Sequence, residues 1–319
     1  MNDLIKFDDE WLPTTEKVFT RWVQFQLERF SKHSINDITK DLASGTVIID
    51  LAQALTHRKC TPKKDISKNC DSALKMFKED GIKLVGISVQ DIMNRNEEII
   101  LRLIWKLIQH YSIRYSFINQ DKKINGFLNE NGEVMKSKLL SWAVNRIENY
   151  SNTYAFKPYE LSMLQLISTF YPDKINCATL NPKDFKNNFQ LLINLMNDLK
   201  IPCFIFPEDV MKIGSEIDQK ILLTQLSVVK IVLEDQKEET DEDDNQNSQQ
   251  KKVVEKESSP KIEVQNEKEV KIEEKKVEQA KREDKVTQKE EKEENKKTRF
   301  SEYVNQNTKY VNGVLNSVH

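Results

Sequence analysis

Four cysteines (Cys60, Cys70, Cys177, Cys203), four histidines (His33, His57, His110, His319) and seven glycines are the residues through which this chain could hold a metal, a nucleophile or a phosphate. Their spacing supports none of these. No two cysteines fall in a CxxC pair, and no histidine has a second ligand at metal-site spacing on an obvious shared face. The glycines form neither a Walker loop nor a GxSxG elbow. No metal, no cofactor and no enzymatic activity are therefore expected. What remains is surface charge. Residues 1–234 hold 31 Lys plus Arg against 29 Asp plus Glu, and residues 235–299 hold 17 against 21. Neither imbalance argues for nucleic acid.

The net charge of −2 over 319 residues hides an asymmetry between segments. Residues 11–113 carry 16 basic and 12 acidic side chains, whereas residues 137–234 carry 10 of each. A cationic surplus of this size suits an acidic protein surface and raises association rate more than affinity. No apolar run approaches the ~20 residues that span a bilayer, and no signal segment precedes Trp11. The expected setting is a reducing cytoplasm with the thiols as buried hydrophobes.

The elements that would position such a surface are helices. After Pro13, Thr14 and Thr15, one apolar side is formed by Val18, Phe19, Trp22, Val23, Leu27 and Phe30, with Gln26 beside them. Lys17, Thr20, Arg21, Gln24 and Glu28 fall on the other side. Ile38, Leu42, Val47, Ile48, Leu51 and Leu55 give a second apolar face around a junction at Gly45. Cys70, Ala73, Leu74 and Phe77 give a third, closed by Gly81. Ile100, Leu103, Ile104, Leu107, Ile108 and Tyr111 recur at i, i+3, i+4, i+7 and predict a terminal core helix. Periodicity alone supports a helical domain of about 100 residues.

The segments WVQFQL (22–27), DLASGTVIIDLAQAL (41–55), CDSALKMFKEDGIKLVGISVQDI (70–92) and NEEIILRLIWKLIQHYSI (96–113) resemble, in order and spacing, the signatures of a calponin homology domain. The likeness is to the first domain of the paired modules in filamins, α-actinins and spectrin-like crosslinkers. Ser44 departs from the acidic residue that often precedes Gly45 there. A second Trp-centred helix follows, with Leu139, Leu140, Trp142, Ala143, Ile147 and Tyr150 on one face. Trp142 lies 120 positions after Trp22, and Asp209 and Val210 lie 118 after Asp91 and Ile92, which marks an internal duplication whatever the family. LLSWA (139–143), LISTFYPDKI (166–175) and IPCFIFPEDV (201–210) resemble the second domain of the same pairs more weakly. FKPYELSMLQLI has no Trp-Asp-Gly entry, and Glu160 in place of glycine makes the start of its helix an open question.

The expected fold is all-α: two calponin homology domains in tandem at 11–113 and 137–234, joined by a polar linker at 114–136. What the resemblance implies is binding to actin filaments, mainly through the first domain, in the cytoplasm at the actin cytoskeleton. The implied contacts are Lys17, Thr20, Arg21 and Gln24 on the first helix; Arg102, Lys106, Gln109 and His110 on the terminal helix; and Lys138, Asn145 and Arg146 on the first helix of the second domain. Trp22, Trp105 and Trp142 are expected in the core. Rival readings are a scaffold whose domains bind a non-actin protein, and a microtubule-associated module.

Residues 235–299 are charged, open with EETDEDD at 238–244 and are nearly free of aromatics, a composition expected to be disordered. At 300–318, Phe300, Val304, Val311, Val314 and Val318 step by multiples of helical spacing, with Tyr303 alongside. An amphipathic helix for self-association or a protein partner is expected there, and dimerisation would permit crosslinking or bundling through avidity.

Overall fold

In the computed structural model the described residues are 5–28, 30, 34–117, 132–147, 156–211 and 217–234. The expected tail and its candidate helix, with Phe300, Tyr303, Val304, Val311, Val314 and Val318, lie outside them, as does most of the linker. Among the described residues every regular element is helical. The first half holds α1 (Leu12–Glu28), α2 (Ile38–Ala43), α3 (Thr46–Thr56), α4 (Ile66–Glu79), α5 (Val89–Met93) and α6 (Glu97–Ile108), the last running into a π turn at Gln109–Ile113 and a 3-10 turn at Tyr115–Phe117. The second half holds α7 (Gly132–Ile147), α8 (Tyr159–Ser168), α9 (Phe185–Asp198), α10 (Pro207–Val210) and a last helix, α11, over 219–234.

Local chemistry places the helix starts. Asp37 takes hydrogen bonds from the amides of Thr39 and Lys40, Asp65 from Lys68, Asn96 from Ile99 and Asp184 from Asn187. Each such cap satisfies amides that the helix leaves orphaned, for about 1 kcal/mol. Gly45 turns α2 into α3 at φ 76°, and a Cβ there would meet Ile66 at 3.0–3.1 Å. Glu160 does not displace its helix: α8 starts at Tyr159, with Glu160 buried in the first turn and its carboxyl pKa raised by that burial.

The apolar faces close as periodicity demands. Trp22, Phe19, Ile104 and Leu107 are fully buried, and Trp105 stacks on Phe19 at 6.0 Å. The indole N–H of Trp22 donates to Ser112 Oγ at 2.9 Å, tying the first helix to the end of the first half. Its repeat counterpart differs. Trp142 is only half-buried, which corrects its expected core position. Its indole N–H donates to Glu234 at 2.7 Å, and Arg146 and Lys230 lie over its faces. A ring covered by two cations and a carboxylate sits at the edge of a core, where its N–H and its π-face both find partners.

The duplication is visible in hydrogen bonds. The Ile82 amide donates to Phe77 O at 3.1 Å past Gly81, and the Ile201 amide donates to Met196 O at 2.8 Å past Lys200, 119 positions on. Asp91 receives the amide of Ser88, and Asp209 receives the amide of Phe206, 118 positions on.

Candidate functional site

The two halves belong to one compact unit, and their junction decides which side chains are available. In the first repeat, Asp91 Oδ2 caps α5 by accepting from both the amide and the hydroxyl of Ser88. In the second repeat the Ser88 position is Phe206, which has no hydroxyl to offer. Asp209 Oδ2 is met instead by the Arg21 guanidinium of α1. The same guanidinium donates to Phe204 O at 2.8 Å and lies 4.7 Å from the Phe206 ring centroid, and Glu208 is 3.9 Å from it. Phe25 meets Phe204 edge-on at 5.9 Å beside it. Divergence of one capping residue thus leaves a carboxylate that pairs across the junction.

Arg21 is consequently not on an open face, contrary to its expected placement, because residues 204–209 cover it. On the same helix Thr20 is half-buried with its hydroxyl donating to Glu16 O at 2.7 Å. Gln24 is half-buried too, its carbonyl accepting from the Ile35 amide at 2.8 Å. Lys17 alone of that set is exposed.

The second set also departs from full exposure. Arg102 is 8% exposed, and its guanidinium pairs with Glu98 at 2.5 Å. Lys106, Gln109 and His110 are half-buried, and burial lowers the pKa of both Lys106 and His110. The physical reason is the π turn: the Arg114 amide reaches back to Gln109 O at 3.0 Å, and α7 packs against this widened end. In the third set Lys138 is half-buried, Asn145 is exposed, and Arg146 lies exposed over Phe170 at 4.6 Å. Gln225 and Lys230, in the second-half terminal helix, are fully buried. Gln225 holds Pro202 O and the Phe204 amide at 2.7 Å each.

A further basic element has no helical periodicity to announce it. Residues 57–64, HRKCTPKK, join α3 to α4, and Arg58, Lys59, Lys63 and Lys64 are exposed. The loop backbone is fixed from below. Gln53 Oε1 accepts from the Cys60 amide at 2.7 Å, and buried Asn69 bonds both the Lys63 amide and its carbonyl at 2.7 and 2.9 Å. Arg58 pairs with Glu79 and Asp80, and Asp80 accepts from the Tyr111 hydroxyl at 2.7 Å. The result is a rigid platform presenting Lys59, Lys63 and Lys64. Basic density over eight residues, with only Asp65 close by, was the signal available in the sequence.

Among the described residues no three His, Cys, Asp or Glu side chains group as a metal site, and no helix is long and apolar enough to cross a membrane. The arrangement can present charge on a stiff helical frame. Residues 13–113 match the family model of the calponin homology (CH) domain. The first half is a CH domain. Similarity extends past it into the second half: filamin-A of Drosophila melanogaster is 28% identical over 236 residues, 69% of this chain and 10% of that protein. Interaptin of Dictyostelium discoideum is 27% identical over 238 residues, 70% of this chain and 13% of that protein. The alpha-actinin-like protein 1 of Schizosaccharomyces pombe is 25% identical over 228 residues, 67% of this chain and 35% of that protein. The CH-containing chain thus spans between about a tenth and about a third of the length of these relatives.

Proposed function

We propose that the chain binds actin filaments through two CH domains in tandem, at 11–113 and 137–234, joined by residues 114–136. The carrying observation is the CH match at 13–113 within a similarity to filamin-A that runs on for 236 residues. Two features support an acidic partner surface. The cationic surplus lies in the first half, and Lys59, Lys63 and Lys64 are held outward on a fixed loop with Lys17 exposed on α1. The contact residues are drawn from Lys17, Thr20, Gln24, Lys106, Gln109, His110, Lys138, Asn145 and Arg146. Arg21 and Arg102 join them only after the junction opens or α6 shifts. The protein acts in the cytoplasm, at the actin cytoskeleton, without enzymatic activity. Crosslinking or partner recruitment through the tail would be added by self-association at 300–318.

A relative from mouse, 27% identical over 241 residues, is named as a microtubule-actin cross-linking factor, so tubulin is the control that matters. The test is cosedimentation of the full chain with actin filaments to saturation, beside microtubules at matched ionic strength. Saturable pelleting with actin is expected. Pelleting with microtubules alone, or with neither polymer, would give the place to the microtubule or scaffold reading.

A further inference from the structure

Three aromatic rings line up through the first half. Phe19 stacks on Trp105 with centroids 6.0 Å apart and planes 1° apart, and Phe7 meets Phe19 edge-on at 6.4 Å. A lysine from the second half stands at each end of this column. Lys136 Nζ of α7 lies 5.7 Å from the Trp105 centroid, and Lys220 Nζ of α11 lies 5.4 Å from the Phe7 centroid. Both distances are within the ~6 Å over which a ring quadrupole attracts an ammonium.

The two ends differ in origin. Trp105 belongs to α6, inside the CH domain, whereas Phe7 precedes the matched residues 13–113. Residues 5–10 are fixed where they join α1: the Trp11 amide donates to Asp8 O at 3.1 Å, the Glu10 amide to Asp8 Oδ1 at 2.9 Å, and the Trp11 side chain is buried. Lys220 is fixed too, since Asp218 accepts from the Lys220 amide at 2.7 Å and lies 3.7 Å from its ammonium. A half-buried ring on an anchored segment therefore meets an oriented cation on the first turn of α11.

We propose that residues 5–10 are a strap that fastens the start of α11 to the first half through Phe7, independently of the Arg21 pairing on the other side of α1. The strap stands on these contacts alone. Its consequence for filament binding, a larger share of molecules with the halves apart when the strap is lost, rests on the proposed function.

The experiment uses the full chain and four variants: Phe7→Leu, Phe7→Trp, Lys220→Met and the Phe7→Leu/Lys220→Met pair. Amide hydrogen exchange by mass spectrometry is read over 219–224. A lost cation–π contact at a partly exposed site corresponds to about 2- to 5-fold faster exchange. Phe7→Leu and Lys220→Met should each quicken exchange by that factor, the pair no further than either alone, and Phe7→Trp should match the parent. Unchanged exchange in Phe7→Leu, or effects that multiply in the pair, would overturn the strap. Actin pelleting of the same proteins separates the two ideas. Quickened exchange with no pelleting by any of them, parent included, leaves the strap standing and removes actin from the function.

Discussion

Lys200 carries a backbone conformation that its repeat counterpart gives to glycine. Both α4 and α9 end with an amide reaching five residues back past a left-handed residue, Gly81 at φ 87° and Lys200 at φ 59°. A side chain in that region costs roughly 1–2 kcal/mol, partly offset because glycine leaves the unfolded chain more freedom. Lys200→Gly is expected to stabilise the protein by about 0.5–1 kcal/mol, seen as a higher urea midpoint with an unchanged slope. Glu28 gives a prediction in pH. Burial raises its pKa to about 7, against a smaller opposing effect of the Gln24 hydrogen bond, and its second carboxylate oxygen has no partner. The folded state holds this proton more tightly than the unfolded one. Stability should therefore fall as pH rises from about 4.5 to about 7 and stay lower above that. Glu28→Gln is expected to raise the melting temperature at pH 8 and to leave it nearly unchanged at pH 4.

At the scale of elements, the junction between α1 and α10 turns on one ion pair. Asp209 is buried, and Arg21 supplies the side-chain donor that Phe206, at the position of Ser88, lacks. Removing one member of a buried pair leaves the other charge uncompensated and costs about 3–5 kcal/mol in fully dry sites. Arg21 keeps some exposure, so Arg21→Met is expected to cost about 2–3 kcal/mol in urea unfolding, and Asp209→Asn, which can still accept from the Phe206 amide, less. The helices themselves were legible because apolar residues at i, i+3 and i+4 report which side of a helix is buried. That same signal marks Arg21 as polar but says nothing about what covers it, and its partner is 188 residues away in sequence. The burial of Arg102 is hidden from the sequence for a related reason. Its four-residue offset from Glu98 is plain in the sequence, but the guanidinium also lies near the loop at Gly86, where a Cβ would stand 3.9 Å from Nη1, and helical spacing gives no sign of that neighbour. Trp142 is a different case: a tryptophan in an apolar stripe reads as core, and only the cations at 146 and 230 and the carboxylate at 234 reveal an edge. The loop at 57–64 has no period at all: its basic density is the one sign of exposure the sequence offers, and the bonds from Gln53 and Asn69 that fix its backbone are not legible there.

For the molecule as a whole, these placements change which charges can meet a filament. Reversing Arg102 would set a carboxylate beside Glu98 in a buried position, so loss of pelleting would report damage to α6 rather than a lost contact. Lys59, Lys63 and Lys64 avoid that ambiguity, since their side chains are exposed and their loop is held by backbone bonds to Gln53 and Asn69. Exposed charges act on an acidic surface through a screened potential whose range is about 10 Å at 0.1 M salt and about 3 Å at 1 M. The triple change Lys59→Gln, Lys63→Gln, Lys64→Gln is therefore expected to weaken actin cosedimentation of the full chain several-fold at low salt. Parent and variant should converge as salt is raised, with the thermal melt unchanged because isolated surface charges contribute about 0–1 kcal/mol. Lys106→Glu, on the half-buried face of α6, should weaken pelleting with a smaller salt dependence, since a partly desolvated contact is screened less. Equal pelleting by the triple variant and the parent at every salt concentration would remove the loop from the filament contact and return the weight of the cationic surplus to Lys17 and Lys106.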